Sequence, residues 1–268
     1  MLRNIALKTI RDRRRSLVWW TVAILVYSLF VAAFWPVLED QQDEFAQLLE
    51  AYPEGLLSIF GVGSIEEMFT PAGFLSTEAF GWLVPLLFSI YGVVIGAQLI
   101  AGEEEDNTLD LLMANPLPRT RVVIEKWLGM LALTGALALA LFLSVWLAGT
   151  IFDLGIPVEH YAAACLHAML LGLAFASIAF AIGAIGGKRG LILGAVAAFA
   201  VAAFLVNSLR ELASWLEAVS YVSPFYYYDS NSPLINGVDW LNVLVLLVIS
   251  AIALGAAYYA FPRRDIGT

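Results

Sequence analysis

Apolar residues gather along this chain in six blocks, each long enough to cross a bilayer as a helix, with the polar residues collected between them. The blocks are 17–38, 79–101, 127–152, 161–185, 191–209 and 240–261. A helix needs about 20 apolar residues to traverse the hydrocarbon core. None of the six contains Asp, Glu, Lys or Arg. The pattern predicts an all-α integral membrane protein with six transmembrane helices. Only "GGKRG" separates the fourth and fifth blocks, so they form a tight antiparallel hairpin. The first block has the basic flank of a signal peptide. It is long, however, ends in "FWPVL" and is followed by no small-x-small cleavage site, so it reads as a retained span.

The segments between the blocks carry patterns of their own. In "LRNIALKTIRDRRRSL", Leu2, Ile5, Ala6, Thr9 and Ile10 share one helical face and the bases occupy the other. This predicts an N-terminal amphipathic interfacial helix over 1–16, lying along an anionic inner leaflet. Nucleic acid is the poorer partner for a basic cluster placed directly before a span. Two further segments, 39–78 and 210–239, precede spans 2 and 6. In the first, Phe45, Leu48, Leu49 and Tyr52 make one face; in the second, Leu212, Trp215, Leu216 and Val219 do, followed by the aromatic "SPFYYYDSNSP". Both read as amphipathic helices at the outer interface, where Trp and Tyr are favoured.

Charge sets the orientation. Hydrophobic residues make up 61% of the 268 positions and charged residues only 14%, against about 25% charged in soluble domains. Of 14 bases, Arg210 alone falls on the side of 39–78 and 210–239 if both termini are cytoplasmic. The segment 39–78 holds nine acids and no base. Lys and Arg favour cytoplasmic loops, so the termini, the 186–190 turn and the insert between spans 2 and 3 are predicted to be cytoplasmic.

Chemistry inside the spans is sparse. The polar candidates are Gln98, Ser144, His167, Ser177 and Asn207. His167 reads as a helix–helix hydrogen-bond partner rather than a relay. An intramembrane hydrolase would pair it with Ser144 or Ser177, and no local motif supports that. Cys165 has no second cysteine to pair with. No His/Cys/Asp/Glu cluster has metal-ligand spacing. "GAIGGKRG" lacks the spacing of a nucleotide-binding loop, so the chain hydrolyses no nucleotide itself. Small residues crowd "GLAFASIAFAIGAIGG" and "GAVAAFAVAAF", which permits close helix packing in lipid.

The insert itself, "GEEEDNTLDLLMANPLPRTR", is the most elaborate polar stretch. Leu109, Leu112 and Met113 stand at i, i+3 and i+4 and predict a short apolar ridge. Asn107 or Thr108 suits the N-cap. Pro116 stops the helix, Pro118 fixes its exit, and Arg119 and Arg121 lead to Lys126. The expectation is a short capped helix in the cytoplasm, with its ridge free to dock into a groove on a soluble partner. An anionic membrane surface would repel the "EEED" run.

At this point the sequence resembles a family. "EEEDNTLDLLMANPLPRTRVVIEKWLG" is similar to the cytoplasmic loop of ABC-2-type permeases. There an acid-rich lead is followed by Gly-Thr-Leu-Glu-Leu-Leu, a short link, Pro-x-x-Arg and a Lys opening the third span. Thr108, Leu109, Leu111, Leu112, Pro116, Arg119 and Lys126 match. Asn107 stands for the usual Gly and Asp110 for the usual Glu; Asn tolerates the left-handed conformation better than most residues. "YPEGLLSIFG" and "VSPFYYYD" extend the likeness.

The resemblance implies one permease domain over 1–268 of an ATP-driven exporter in a prokaryotic cell membrane. It implies no cofactor on this chain, with ATP and Mg on a separate cytoplasmic ATPase. A second permease copy or a sister permease would complete the transporter. The insert would be the coupling helix, touching the ATPase through Thr108, Leu109, Asp110, Leu112, Met113, Pro116 and Arg119. An uncharged interior favours lipophilic or amphipathic cargo. Two alternatives differ in class. A secondary transporter driven by ions or protons needs a buried carboxylate or broken helices. A non-transporting scaffold would only recruit the ATPase.

Overall fold

The computed structural model describes residues 4–42, 68–114 and 116–264, and among these every regular element is helical. Six helical stretches are long and apolar enough to cross a membrane: Ile5–Asp40, Pro71–Glu105, Arg119–Ile151, Val158–Ile185, Arg189–Ser208 and Trp240–Arg263. They are called spans 1 to 6 below. The predicted hairpin is present: span 4 ends at Ile185 and span 5 begins at Arg189. Gly186 turns the chain at φ +121°, while the Gly186 and Gly187 amides both donate to the carbonyl of Ile182. That left-handed backbone is open to glycine at little cost.

Span 4 is the centre of the bundle, packed against spans 2, 3, 5 and 6. Its density of Ala and Gly explains why. A Cβ on Gly92 would stand 2.2 Å from the carbonyl oxygen of Gly172, and one on Gly96 would stand 2.2 Å from that of Ala176. Spans 2 and 4 therefore touch backbone to backbone, the close approach that small residues permit in lipid.

Two sequence expectations change. The basic N-terminal segment is not a separate interfacial helix. One unbroken 28-residue helix runs Ile5–Ala32, because nothing in it is Gly or Pro. Its predicted apolar face turns to span 3 instead of lying on lipid: Ile5 and Thr9 are buried, and Thr9 sits against Gly129. At about 1.5 Å per residue the helix is roughly 42 Å long, more than the ~30 Å core. Its basic turns thus extend past the hydrocarbon. The break comes later, where Pro36 lacks the N–H that would bond the carbonyl of Ala32, and the helix restarts as Trp35–Asp40.

The segment before span 6 is also broken up. A 3₁₀ turn, Arg210–Leu212, is followed by extended Ala213 and then the helices Ser214–Ser220, Pro224–Asp229 and Pro233–Asn236. Leu212, Trp215 and Val219 are exposed rather than packed on the bundle. The other predicted amphipathic helix, starting at Phe45, lies outside the described residues.

Span 2 is the irregular member. It carries two π-type segments, Ser76–Phe80 and Gln98–Gly102, flanking the regular helix Leu83–Ala97. Such segments disrupt the i→i−4 ladder. Carbonyls in or beside them are met by side chains from elsewhere. Tyr27 donates its hydroxyl to the Glu78 carbonyl at 2.6 Å, and Tyr228 donates to the Phe80 carbonyl at 2.7 Å. Burial, with the neighbouring Asp229 charge, pushes the Tyr228 phenol well above its ordinary pKa, so it stays a donor.

Candidate functional site: the acidic node under the bundle

The second π-type segment opens the site. Gln98–Gly102 leads into Glu103–Glu105, a turn at Asp106 and Asn107, and the insert helix Thr108–Met113. Asn107 adopts φ 53°, ψ 24°, the left-handed conformation expected where a Gly would otherwise stand. Its side chain does not cap the helix. Instead Thr108 donates its hydroxyl to the Glu103 carbonyl at 3.1 Å. The helix stops at Met113, and span 3 starts at Arg119, directly after Pro118.

Each of the four consecutive acids reaches a different place. The Lys126 ammonium, at the base of span 3, donates to Glu103 Oε2 at 2.6 Å and to the Leu99 carbonyl in the π-type segment. Its side chain is 1% exposed. Glu104 pairs with Arg264 beyond the end of span 6 at 2.6 Å. Arg264 also donates to the Gly183 carbonyl at the end of span 4, at 3.3 Å. Glu105 accepts the Arg189 backbone N–H that opens span 5, at 2.9 Å. Asp106 accepts from Gln98 Nε2 at 3.2 Å. Gly102 makes that last bond possible, since a Cβ there would stand 2.5 Å from the Gln98 side chain.

Span 1 joins through a neighbouring acid. Glu125 accepts the Ile5 backbone N–H at 2.6 Å, at the start of that helix, and pairs with Arg121 at 2.6 Å. Acids are favoured at helix N-termini, where N–H groups lack intrahelical partners. The "EEED" run and Glu125 together tie the ends of all six spans on the insert's side to one another. This also explains why a loop between two helices carries so much charge: Glu103, Glu104 and Glu105 each have a partner on another span.

The predicted ATPase-facing ridge needs correction. Leu109 is fully buried and Leu112 is 3% exposed; both join the main apolar core. Met113 is half-buried against the same core. A short amphipathic helix on the base of a bundle turns its apolar face to the bundle, the nearest apolar surface. The surface it presents outward holds Thr108, Asp110 and Pro116, together with Leu111, which is 72% exposed. Arg119 is turned inward as well: its guanidinium donates to the carbonyls of Pro262 and Arg264. Sequence reading missed Glu103, Glu104, Glu105 and Arg264 as a set. Only the run of acids itself hinted at them.

The span candidates separate. His167 Nδ1 meets the Ala163 carbonyl of its own helix at 2.9 Å, and the ring also lies close to Asp239, the residue that caps span 6. Ser144 donates to Ala140, and Ser177 accepts from Trp127 Nε1 at 2.9 Å. Among the described residues no hydrogen bond joins His167 to either serine.

The node's members should differ in weight. Removing one partner of a buried pair costs about 3–5 kcal/mol, whereas exposed pairs contribute roughly 0–1 kcal/mol. Lys126→Met should lower thermal stability in detergent by about 3 kcal/mol, and adding Glu103→Gln should restore much of that. Arg264→Met, at a pair 21% and 28% exposed, should cost about 1 kcal/mol or less. A thermal-unfolding series of these four proteins checks the ranking.

Over 208 residues the chain is 26% identical to the uncharacterized protein YhcI of Bacillus subtilis (strain 168), covering 68% of this chain and 65% of that one. The match thus spans slightly less than two thirds of the relative's length. The family described as ABC-2 family transporter protein matches residues 3–266, nearly the whole chain. The chain belongs to that family, as a multi-pass permease component, which lacks an ATPase domain and is expected to hold no cofactor.

Proposed function

We propose that this chain is the membrane half of an ATP-driven exporter of lipophilic or amphipathic molecules. A separate cytoplasmic ATPase docks on the insert, and a second permease copy or a sister permease completes the pathway. Both termini and the insert face the cytoplasm of a prokaryotic cell; 39–78 and 210–239 face outward. The observation that carries this reading is the acidic node. A helix bound to its own bundle by three buried or half-buried apolar side chains and by the ties of the preceding acids moves with the spans. A push on it is delivered to spans 2, 3, 5 and 6 together. The basic turns of span 1, held by Glu125, move with them and offer a second contact. The lack of charge within the six apolar blocks fits energy entering from outside the bundle.

Docking falls to the outward surface of the insert. Leu111 is its exposed apolar side chain, between Asp110 and the exposed Pro116. Burial of one leucine contributes roughly 1.5–3 kcal/mol, which is about tenfold or more in affinity. Leu111→Asp should therefore weaken co-purification of the ATPase by about tenfold and uncouple ATP hydrolysis from transport, with thermal stability unchanged. Leu109→Ser should do the reverse, lowering the permease's own stability by about 2–5 kcal/mol through a polar group in a core cavity. An ATPase that holds the Leu111→Asp protein as tightly as the parent places the contact elsewhere.

Orientation has its own check. In a Cys165→Ser background, cysteine at exposed Ala218 should react with a membrane-impermeant thiol reagent added to intact cells. Cysteine at exposed Asp110 should react only after the cells are opened. The opposite pattern inverts the topology.

A further inference from the structure

At the other end of span 1 from the acidic node lies an apolar groove of about 260 Å³. Phe30 and Phe34 form one wall, stacked edge-on with centroids 5.0 Å apart. Val31, Val37, Leu38, Met68 and Phe74 also line it. Among the described lining residues one is charged: Glu78. It sits on the first π-type segment of span 2, between buried Thr77 and Ala79. Tyr27 holds this segment to span 1, but it does so through the Glu78 backbone carbonyl and leaves the carboxylate alone.

Among the described residues no base, N–H or hydroxyl meets that carboxylate. A half-buried carboxylate among phenyl rings is costly unless a cation joins it. Every acid of the inner node, by contrast, has its partner. From Glu78 to Glu103 is 25 residues, about 37 Å along a helix. With the inner node beyond one face of the ~30 Å core, Glu78 lies near the other face, at the level of the headgroups. A ligand seated there has its charge at the carboxylate and its apolar body among Phe30, Phe34 and Phe74. Aromatic faces themselves attract onium groups, most strongly where water is excluded.

We infer that this groove between spans 1 and 2 binds amphipathic organic cations, molecules with an ammonium or phosphonium centre and an aromatic or aliphatic body, with Glu78 as the counter-charge. Binding stands on the groove alone. That such cations are the cargo rests on the exporter reading above.

The test uses radiolabelled tetraphenylphosphonium and the permease in phosphatidylcholine nanodiscs without ATPase, with empty nanodiscs subtracted. The parent should bind saturably. Glu78→Gln should weaken binding by roughly tenfold or more, and Glu78→Asp should stay within a few-fold. Tetraphenylborate, the same shape with the opposite charge, should not bind saturably. Phe34→Ala, at a half-exposed site that leaves the bundle intact, should weaken binding with the carboxylate unchanged. No saturable binding to the parent overturns the site. So does equal affinity in a folded Glu78→Gln protein, or full affinity in Phe34→Ala should Glu78→Gln not fold. Loss of the site on these grounds leaves the exporter reading untouched, because neither ATPase nor transport enters the measurement.

Discussion

A buried ammonium must be met by negative charge and by acceptors, and Lys126 imposes that demand on the end of the bundle that carries the insert. It is fully enclosed. Its acceptors are a carboxylate from the insert and a main-chain carbonyl from span 2. That carbonyl belongs to the π-type segment of span 2. The irregular end of span 2, the position of Glu103 and the direction in which the insert leaves the membrane are thus linked to one side chain on span 3. The other acids follow in sequence, each turned to the next available partner: Arg264, the N–H of Arg189, and Gln98.

The same device recurs at the opposite end of span 2. There the Glu78 and Phe80 carbonyls are met by two tyrosine hydroxyls, one from span 1 and one from the helix Pro224–Asp229. In lipid a backbone carbonyl without a donor costs several kcal/mol, so an irregular helix can persist only where neighbours supply donors. Span 2 is held at both ends by such donors and in the middle by direct backbone contact with span 4. A helix held this way has defined places to change register, which is what a permease needs if an event at one end is to alter the other. The groove with Glu78 lies at the one of these two places that is farther from the insert.

Much of this was legible in the sequence. Apolar block length and the absence of charge located six spans, and Gly186 with Gly187 marked the hairpin. Pro116 and Pro118 bounded the insert helix, and Asn107 took the left-handed backbone that its place in the motif required. What was hidden had a common cause. Periodicity shows that Leu109, Leu112 and Met113 share a face, but not what covers it; that depends on how closely the helix lies to its own bundle. Pairing between Glu104 and Arg264, 160 residues apart, leaves no local trace. The π-type segments leave none either, since they are stabilised by Tyr27, Tyr228 and Lys126 from other elements. The unbroken helix through the basic N-terminal turns was readable from its lack of Gly and Pro, yet charge pattern pointed to a separate interfacial helix.

On the coupling proposed above, the acidic run ties the insert to the spans, so that force applied at one reaches the others. The most direct measurement is a charge exchange across the longest tie, with transport-coupled ATP hydrolysis by the assembled complex as the readout. Glu104→Arg alone and Arg264→Glu alone each set like charges side by side, and each should uncouple hydrolysis from transport. The double exchange restores an attractive pair and should recover most of the coupling. If the double exchange couples no better than the worse single variant, or if both single variants couple as the parent does, the tie carries no force.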